Sequence, residues 1–150
     1  MTDRDSYKRG LDFALRSLTR KEQPSFQIRK KLKEREIDSE ASERVIAQCI
    51  AWNFINDERW LENYVNGQKL KKRGAKRIFL ELLRQGVNKE TALEALGRLV
   101  HEEDSREGIR ELLSTKYKKF DLKDRKQRQK VIASLFRRGY SWDEIISQLE

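Results

Sequence analysis

The stretch IFLELLRQGVNKE, residues 78–90, carries the pattern that decides the fold. Ile78 and Leu82 are apolar and stand four residues apart, which is the spacing of neighbours on one face of a helix. Gly86 follows where that helix would end, and glycine suits the left-handed conformation of a C-terminal cap. Asn88 is a preferred N-cap for a second helix. The stretch therefore predicts two helices joined by a tight turn.

The same pattern occurs once before this stretch and once after it. Each copy has an apolar pair four residues apart, then an apolar residue, then a capping Asp, Asn or Ser with an acidic residue behind it. The first copy comprises Ile28, Leu32 and EIDSE at residues 36–40, and the third comprises Val131, Leu135 and GYSWD at residues 139–143. A preceding apolar helix stripe also recurs, beginning at Leu11, Leu61 and Ile109. Each copy therefore predicts a unit of three helices.

Three such units in tandem predict an all-α fold. We expect tandem three-helix repeat units at residues 1–55, 56–102 and 103–150, which share their cores with their neighbours and form an elongated array, straight or curved. The predicted helices cover residues 7–20, 25–36, 39–54, 57–72, 75–85, 89–101, 104–117, 123–138 and 142–149. The alternative is a chance similarity between helices of one compact helical domain.

The composition agrees with an all-α protein and excludes other classes. Of the 150 residues, 39% are charged and 37% are hydrophobic, which is too polar for long buried parallel strands. Seven Gly and one Pro provide few turns for a sandwich of many short strands. No stretch has the apolar pattern of a membrane span or a signal peptide. We therefore expect a cytoplasmic protein that does not contact a membrane.

Residues able to support catalysis are few. The single cysteine, Cys49, lies in an apolar helical stripe, so we expect it in the core of a protein from a reducing compartment. The single histidine, His101, is expected to be a solvated residue at the C-terminal end of a helix. The sequence GAKR at residues 74–77 lacks the spacing and the preceding strand of a phosphate-binding loop. We therefore predict no enzymatic activity, no catalytic residue, no metal and no cofactor.

Four aromatic residues cluster near the junction of the first two predicted units. They are Trp52, Phe54, Trp60 and Tyr64. Their helical spacing predicts that they form core between the units. Aromatic side chains also stack on nucleic-acid bases, which is the functional alternative for this cluster.

The net charge is the strongest functional signal. The formal charge of +9 favours a polyanionic partner such as nucleic acid, a nucleoprotein or an acidic protein surface. A helical wheel of residues 75–85 places Arg77 and Arg84 together on the outer face, and Arg73 extends this ridge. The matching positions in the third copy are Lys126, Lys130 and Arg137, whereas the first copy has Gln23, Gln27 and Glu34. A basic ridge is therefore predicted on the second and third units and not on the first.

Several of these residues together resemble a known family. The segments NDERW at residues 56–60, RGAKRI at 73–78, RQGV at 84–87 and LFRRGY at 135–140 occur in the order and spacing of RecX, a family of bacterial regulators of the RecA recombinase. The resemblance spans nearly the whole chain. It implies tandem three-helix units, in agreement with the internal repeat.

The resemblance also implies a function without catalysis. Members of the family are expected to bind RecA filaments on single-stranded DNA, in the helical groove, and to restrain filament growth, ATP hydrolysis, strand exchange and coprotease activity. The implied partner is the RecA filament. Weak direct DNA binding is a separate expectation. We expect the chain itself to be a monomer.

The predicted partner-binding residues combine exposed basic residues of the family pattern with the two ridges. They are Arg59, Lys72, Arg73, Lys76, Arg77, Arg84, Lys126, Lys130 and Arg137. Lys and Arg in this number suit phosphates or acidic surfaces better than base edges, so a sequence-reading helix-turn-helix is not expected. Three other functions stay open: direct binding of nucleic acid by a basic helical-repeat protein, a structural adaptor for another acidic protein, and an enzyme whose catalytic residues the sequence does not reveal.

Overall fold

The computed structural model describes residues 3–150, and every regular element in that range is a helix. The helices are α1 (Asp3–Arg20), α2 (Ser25–Glu34), α3 (Ser39–Ala51), α4 (Asp57–Leu70), α5 (Ala75–Gln85), α6 (Lys89–Leu99), α7 (Glu102–Ser114), α8 (Arg125–Arg137) and α9 (Trp142–Leu149). The predicted all-α class is confirmed. The described residues up to Leu61 form one compact unit, and Glu62–Glu150 form a second. The division into three units stays a prediction.

The caps of the repeat pattern are present in all three copies. The side chains of Asp38, Asn88 and Ser141 each accept a hydrogen bond from a backbone N–H in the first turn of the following helix, at 2.8, 2.8 and 3.2 Å. Gly86 has a φ of 104°, so α5 ends in the predicted left-handed cap. The matching residue of the first copy is Glu36, with a φ of 62°. A side chain in this region costs about 1 kcal/mol, so the first copy makes the same turn less favourably.

Nine of the eighteen predicted helix ends differ from the structure by one to four residues, and two of these differences change where a named residue lies. The third helix stops at Ala51 rather than at residue 54, because Asn53 has a φ of 62° and leaves the helical conformation. The sixth helix stops at Leu99, so His101 does not end a helix as predicted. His101 instead caps the start of α7, where its backbone N–H donates to Asp104 Oδ2 at 2.8 Å. Its side chain is exposed, as expected.

The first unit is organised around a core that α1, α2 and α3 share. Its fully buried members are Ala14, Ile28, Leu32, Val45 and Cys49. Cys49 is therefore a core residue as predicted, and burial raises the pKa of its thiol.

The start of α2 is held by a residue from α4. Pro24 is the N-cap of α2 and its side chain accepts no hydrogen bond. Asp57 supplies the missing acceptor: its Oδ1 and Oδ2 accept from the Ser25 backbone N–H and hydroxyl at 2.6 and 2.5 Å. This contact ties the start of α2 to the start of α4 within the first unit.

The aromatic cluster is only partly core. Trp60 is 8% exposed and meets Phe26 edge to face at 5.8 Å between ring centroids. Trp52 and Phe54 are 48% and 50% exposed, so the prediction that they lie in the core is wrong. The reason is the early end of α3, which places both residues in the turn after the helix rather than on its apolar face.

The second unit contains α5–α9 and most of α4. Its buried residues in α7, α8 and α9 surround Tyr140 and include Ile109, Leu112, Val131, Leu135 and Ile145. Burial raises the pKa of Tyr140 to about 12, so its hydroxyl stays protonated. Among the described residues, no helix combines the length and the apolar character needed to cross a membrane.

Two glycines join the turn before α5 to the turn after α8. The Gly74 N–H donates to the Arg138 carbonyl at 2.8 Å, and the Lys76 N–H donates to the Gly139 carbonyl at 3.3 Å. A Cβ on Gly74 would lie 2.4 Å from the Gly139 carbonyl, and a Cβ on Gly139 would lie 2.4 Å from the Arg77 nitrogen. Both glycines are therefore required by a direct backbone contact, and Gly139 also by its φ of 100°.

We predict that Gly74→Ala lowers the free energy of unfolding by about 2–3 kcal/mol, because its Cβ meets backbone that cannot rotate away. The matched control is Gly67→Ala in α4, where a Cβ meets nothing within 4 Å. This control should stabilise the protein by up to about 1 kcal/mol through helix propensity. Chemical denaturation followed by far-UV circular dichroism measures both. Equal stability of the two variants would contradict the backbone contact.

Candidate functional site

Five cationic side chains line one cleft of the second unit, with a volume of about 410 Å³. We call it the basic cleft; it is lined by Arg73, Arg77, Lys116, Ser134, Arg137 and Arg138. Arg77 lies in the first turn of α5 and Arg137 in the last turn of α8, which the glycine contact makes neighbours. The two ridges predicted on separate units therefore meet at a single site.

A second hollow of about 460 Å³ continues from the basic cleft. The two share Lys116, Ser134 and Arg137, and the hollow adds Lys119 and Lys130. Its apolar lining is Tyr117, Phe120, Val131 and Ala133. The basic cleft is thus lined only by polar residues, whereas the hollow beside it is lined by both apolar and cationic residues.

Part of the positive charge is balanced by one buried acid, Glu81. Its Oε1 accepts from Arg77 Nε at 2.9 Å and lies 3.7 Å from Arg84 Nη1. The hydrogen bond from Arg77 is the main reason why the pKa of Glu81 is lowered, against the effect of burial. Arg77 is therefore a structural partner of Glu81 as well as a lining residue. Arg84 is 76% exposed and keeps most of its surface for solvent or a partner.

Other contacts fix the cations at the mouth of the cleft. Arg73 Nη1 donates to Gln68 Oε1 at 2.7 Å. Arg138 Nη1 donates to the carbonyls of Lys71 and Lys72 at 3.1 and 3.3 Å. The Lys72 ammonium pairs with Glu111 at 2.7 Å. Arg73 and Arg138 of the lining are therefore held by hydrogen bonds within the protein.

The remaining predicted residues lie outside the lining of the basic cleft. Lys76 is exposed, with its ammonium 5.5 Å from the centroid of the Phe136 ring. Lys126 is exposed in the first turn of α8. Arg59 belongs to the first unit, where its Nε donates to Glu22 at 2.8 Å and its Nη1 to Asn53 Oδ1 at 3.2 Å. Arg59 is thus engaged in contacts within the first unit and does not line the basic cleft.

Sequence reasoning left Arg138 and Lys116 out of the predicted set. Arg138 lies directly before Gly139. Because Gly139 touches the backbone at the start of α5, its neighbour Arg138 reaches the basic cleft. Lys116 follows α7, in a lysine-rich stretch whose spacing shows no periodic pattern. No local pattern distinguishes it, because its place beside Ser134 and Arg137 depends on the tertiary fold.

The fold and the cleft define a class of protein: an all-α chain of repeated three-helix elements with a cationic surface. Residues 11–49 match the family model for the first three-helix domain of RecX, and residues 102–147 match the model for the third. The chain belongs to the RecX family, as its sequence motifs predicted.

Known relatives and solved structures agree with this assignment. The regulatory protein RecX of Salmonella paratyphi C is 31% identical, and the match covers 95% of this chain and 90% of that protein. For RecX of Bacillus subtilis the identity is 29%, over 97% of this chain and 56% of the relative. The crystal structure of RecX from Lactobacillus salivarius superposes with a TM-score of 0.80 at 25% identity, over 97% and 95% of the two chains.

We predict that Glu81→Gln makes the stability of the protein less sensitive to acid. A carboxylate with a lowered folded pKa contributes stability above its unfolded pKa and loses it as the pH falls through the folded value. The free energy of unfolding of the unchanged protein should therefore fall more steeply between about pH 5 and pH 3 than that of the variant. Denaturant titrations over this pH range give the comparison.

The control for this measurement is Glu94→Gln, at an exposed position of α6. It should follow the pH dependence of the unchanged protein. Parallel curves for Glu81→Gln and the unchanged protein would show that the arginines do not hold Glu81 as an anion.

Proposed function

We propose that this chain is a non-enzymatic modulator of the RecA recombinase, mainly an inhibitor, that binds in the groove of RecA filaments on single-stranded DNA. The observation that carries the proposal is the convergence of five cations from three parts of the second unit on the basic cleft. Membership of a family of regulatory proteins supports action by binding rather than by chemistry.

The charge of the cleft fits such a filament. A RecA groove would present DNA phosphates and acidic protein groups, and guanidinium and ammonium groups bind both. The net charge of +9 adds a long-range attraction that salt screens. The fixed lining groups then select a partner whose anions have the matching spacing.

Binding of this kind changes assembly without a reaction. A protein that contacts neighbouring protomers binds best to one filament geometry, and it shifts the population toward that geometry. If the favoured geometry hydrolyses ATP slowly or adds no further protomer, growth and ATP hydrolysis fall together. A difference in affinity for two filament states is therefore enough to produce this effect.

A second candidate function is direct binding of nucleic acid by a basic helical protein. The specific observation in its favour is the wholly polar, arginine-rich lining of the basic cleft, which suits phosphates as well as carboxylates. This function predicts tight binding to DNA in the absence of recombinase, with steep salt dependence.

The deciding experiment is a titration of this protein into preformed RecA filaments on single-stranded DNA, with ATP hydrolysis as the signal. Binding to the same DNA without recombinase is measured in parallel. Inhibition at amounts well below those that coat the free DNA supports the filament modulator. Inhibition only at coating amounts supports the nucleic-acid binder, and no inhibition overturns the proposal.

We predict that the triple variant Lys116→Glu, Lys130→Glu, Arg137→Glu raises the half-inhibitory concentration by about tenfold or more. All three residues are exposed, so the reversals remove attraction without disturbing the core. Arg77 is left unchanged because it neutralises the buried Glu81.

The matched control is Lys8→Glu, Lys30→Glu, Lys89→Glu, which changes the net charge equally at exposed positions elsewhere. Its half-inhibitory concentration should shift by much less. Full inhibition by a folded triple variant, or equal losses in the two triples, would overturn the role of the cleft. Far-UV circular dichroism confirms folding of both.

A further inference from the structure

The first unit contains a cationic cleft that the repeat pattern did not predict. We call it the arginine cleft; its volume is about 460 Å³ and its lining is Phe13, Arg16, Thr19, Arg20 and Arg35. None of these residues is acidic. The positions that carry basic ridges in the other copies are Gln23, Gln27 and Glu34 here, and the arginines come instead from α1 and the end of α2.

Two of the three guanidinium groups of this cleft contact neutral groups. The Arg35 guanidinium lies over the Phe13 ring at 4.0 Å from its centroid, and Arg16 Nε donates to the Asp12 carbonyl at 3.4 Å. The ion pairs found among the described residues include none with Arg16, Arg20 or Arg35. Their charge is therefore available to an anion from outside, and a guanidinium can bind two oxygens of a phosphate at once.

A mostly apolar hollow adjoins the arginine cleft along α1. It is lined by Leu15, Leu18, Thr19 and Phe54, has a volume of about 290 Å³, and shares Thr19 with the cleft. Phe54 is 50% exposed and meets the ring of Trp52, itself 48% exposed, at 6.1 Å between centroids. A half-exposed aromatic pair thus lies next to the hollow that adjoins the arginine cleft, whose three guanidinium groups form no ion pair among the described residues.

We propose that the first unit binds single-stranded nucleic acid, with backbone phosphates in the arginine cleft and unpaired bases against Phe54 and Trp52. Cations that follow the backbone and aromatic rings that stack on bases are the combination by which single strands are bound without sequence preference. An acidic peptide would use the arginines and leave the rings without a stacking partner. A duplex would keep its bases paired and out of reach of the hollow.

The charge test uses the pair Arg16→Gln, Arg20→Gln, and fluorescence anisotropy of a labelled oligothymidylate of about 15 nucleotides. Without recombinase present, the dissociation constant should rise by about tenfold. The slope of log affinity against log salt should shrink by about 1.4, as expected for two lost phosphate contacts on a single strand. The matched control Lys8→Gln, Lys30→Gln removes the same charge at exposed positions of α1 and α2. Equal losses in the two pairs would overturn the site, since only net charge would then matter.

The stacking test uses Phe54→Leu, which keeps an apolar side chain and removes the ring. The dissociation constant should rise by about fivefold or more with the salt slope unchanged, because stacking releases no counterions. The control is Leu93→Ala, at another exposed apolar position. Unchanged affinity in Phe54→Leu would overturn the assignment of bases to the hollow.

A further outcome separates this inference from the function proposed above. If Arg16→Gln, Arg20→Gln keeps its affinity for the oligonucleotide and loses inhibition of RecA, the cleft binds acidic protein, and the nucleic-acid assignment is overturned. Because the anisotropy titration contains no recombinase, failure of the proposed function leaves this test intact.

Discussion

The second unit depends on a direct contact between two backbones, at Gly74 and Gly139. Gly74 is the N-cap of α5 and Gly139 lies in the turn after α8, and neither has space for a single additional carbon. Since the two turns touch, the first turn of α5 and the last turn of α8 become neighbours. The meeting of Arg77 and Arg137 in the basic cleft follows from this proximity, because the two residues come from segments that are far apart in the sequence.

Concentrating cations in one place opposes folding unless their repulsion is relieved. The structure relieves it with Glu81, which neutralises Arg77, and with backbone carbonyls that accept from Arg138. These groups are held in place and give the cleft its geometry. Lys116 and Arg137 remain exposed and supply the attraction that reaches into solution. Arg77 and Arg138 therefore define the shape of the cleft, and Lys116 and Arg137 supply its long-range attraction.

The two cationic surfaces differ in the chemistry that surrounds them. The basic cleft has a polar lining, whereas the arginine cleft adjoins the exposed rings of Trp52 and Phe54. A filament of recombinase on single-stranded DNA would offer an anionic protein surface and a strand together. Two modest contacts with one assembly combine through effective concentration, and each alone would bind far less tightly. Under the proposed function, the two clefts together would select the assembled filament over either of its components.

By itself, the sequence determined the helices, their caps and the family. Apolar pairs at helical spacing, Asn88 as an N-cap and Gly86 as a left-handed cap are local features, and local energetics decides them. Tertiary structure alone decided which surfaces come together. The prediction placed Phe54 in the core, and it lies half exposed because α3 ends early. The sequence around Arg138 does not show that Gly139, the next residue, lies against Gly74. Side chains of distant segments form a site only through the packing of helices, and packing depends on contacts that no single segment contains.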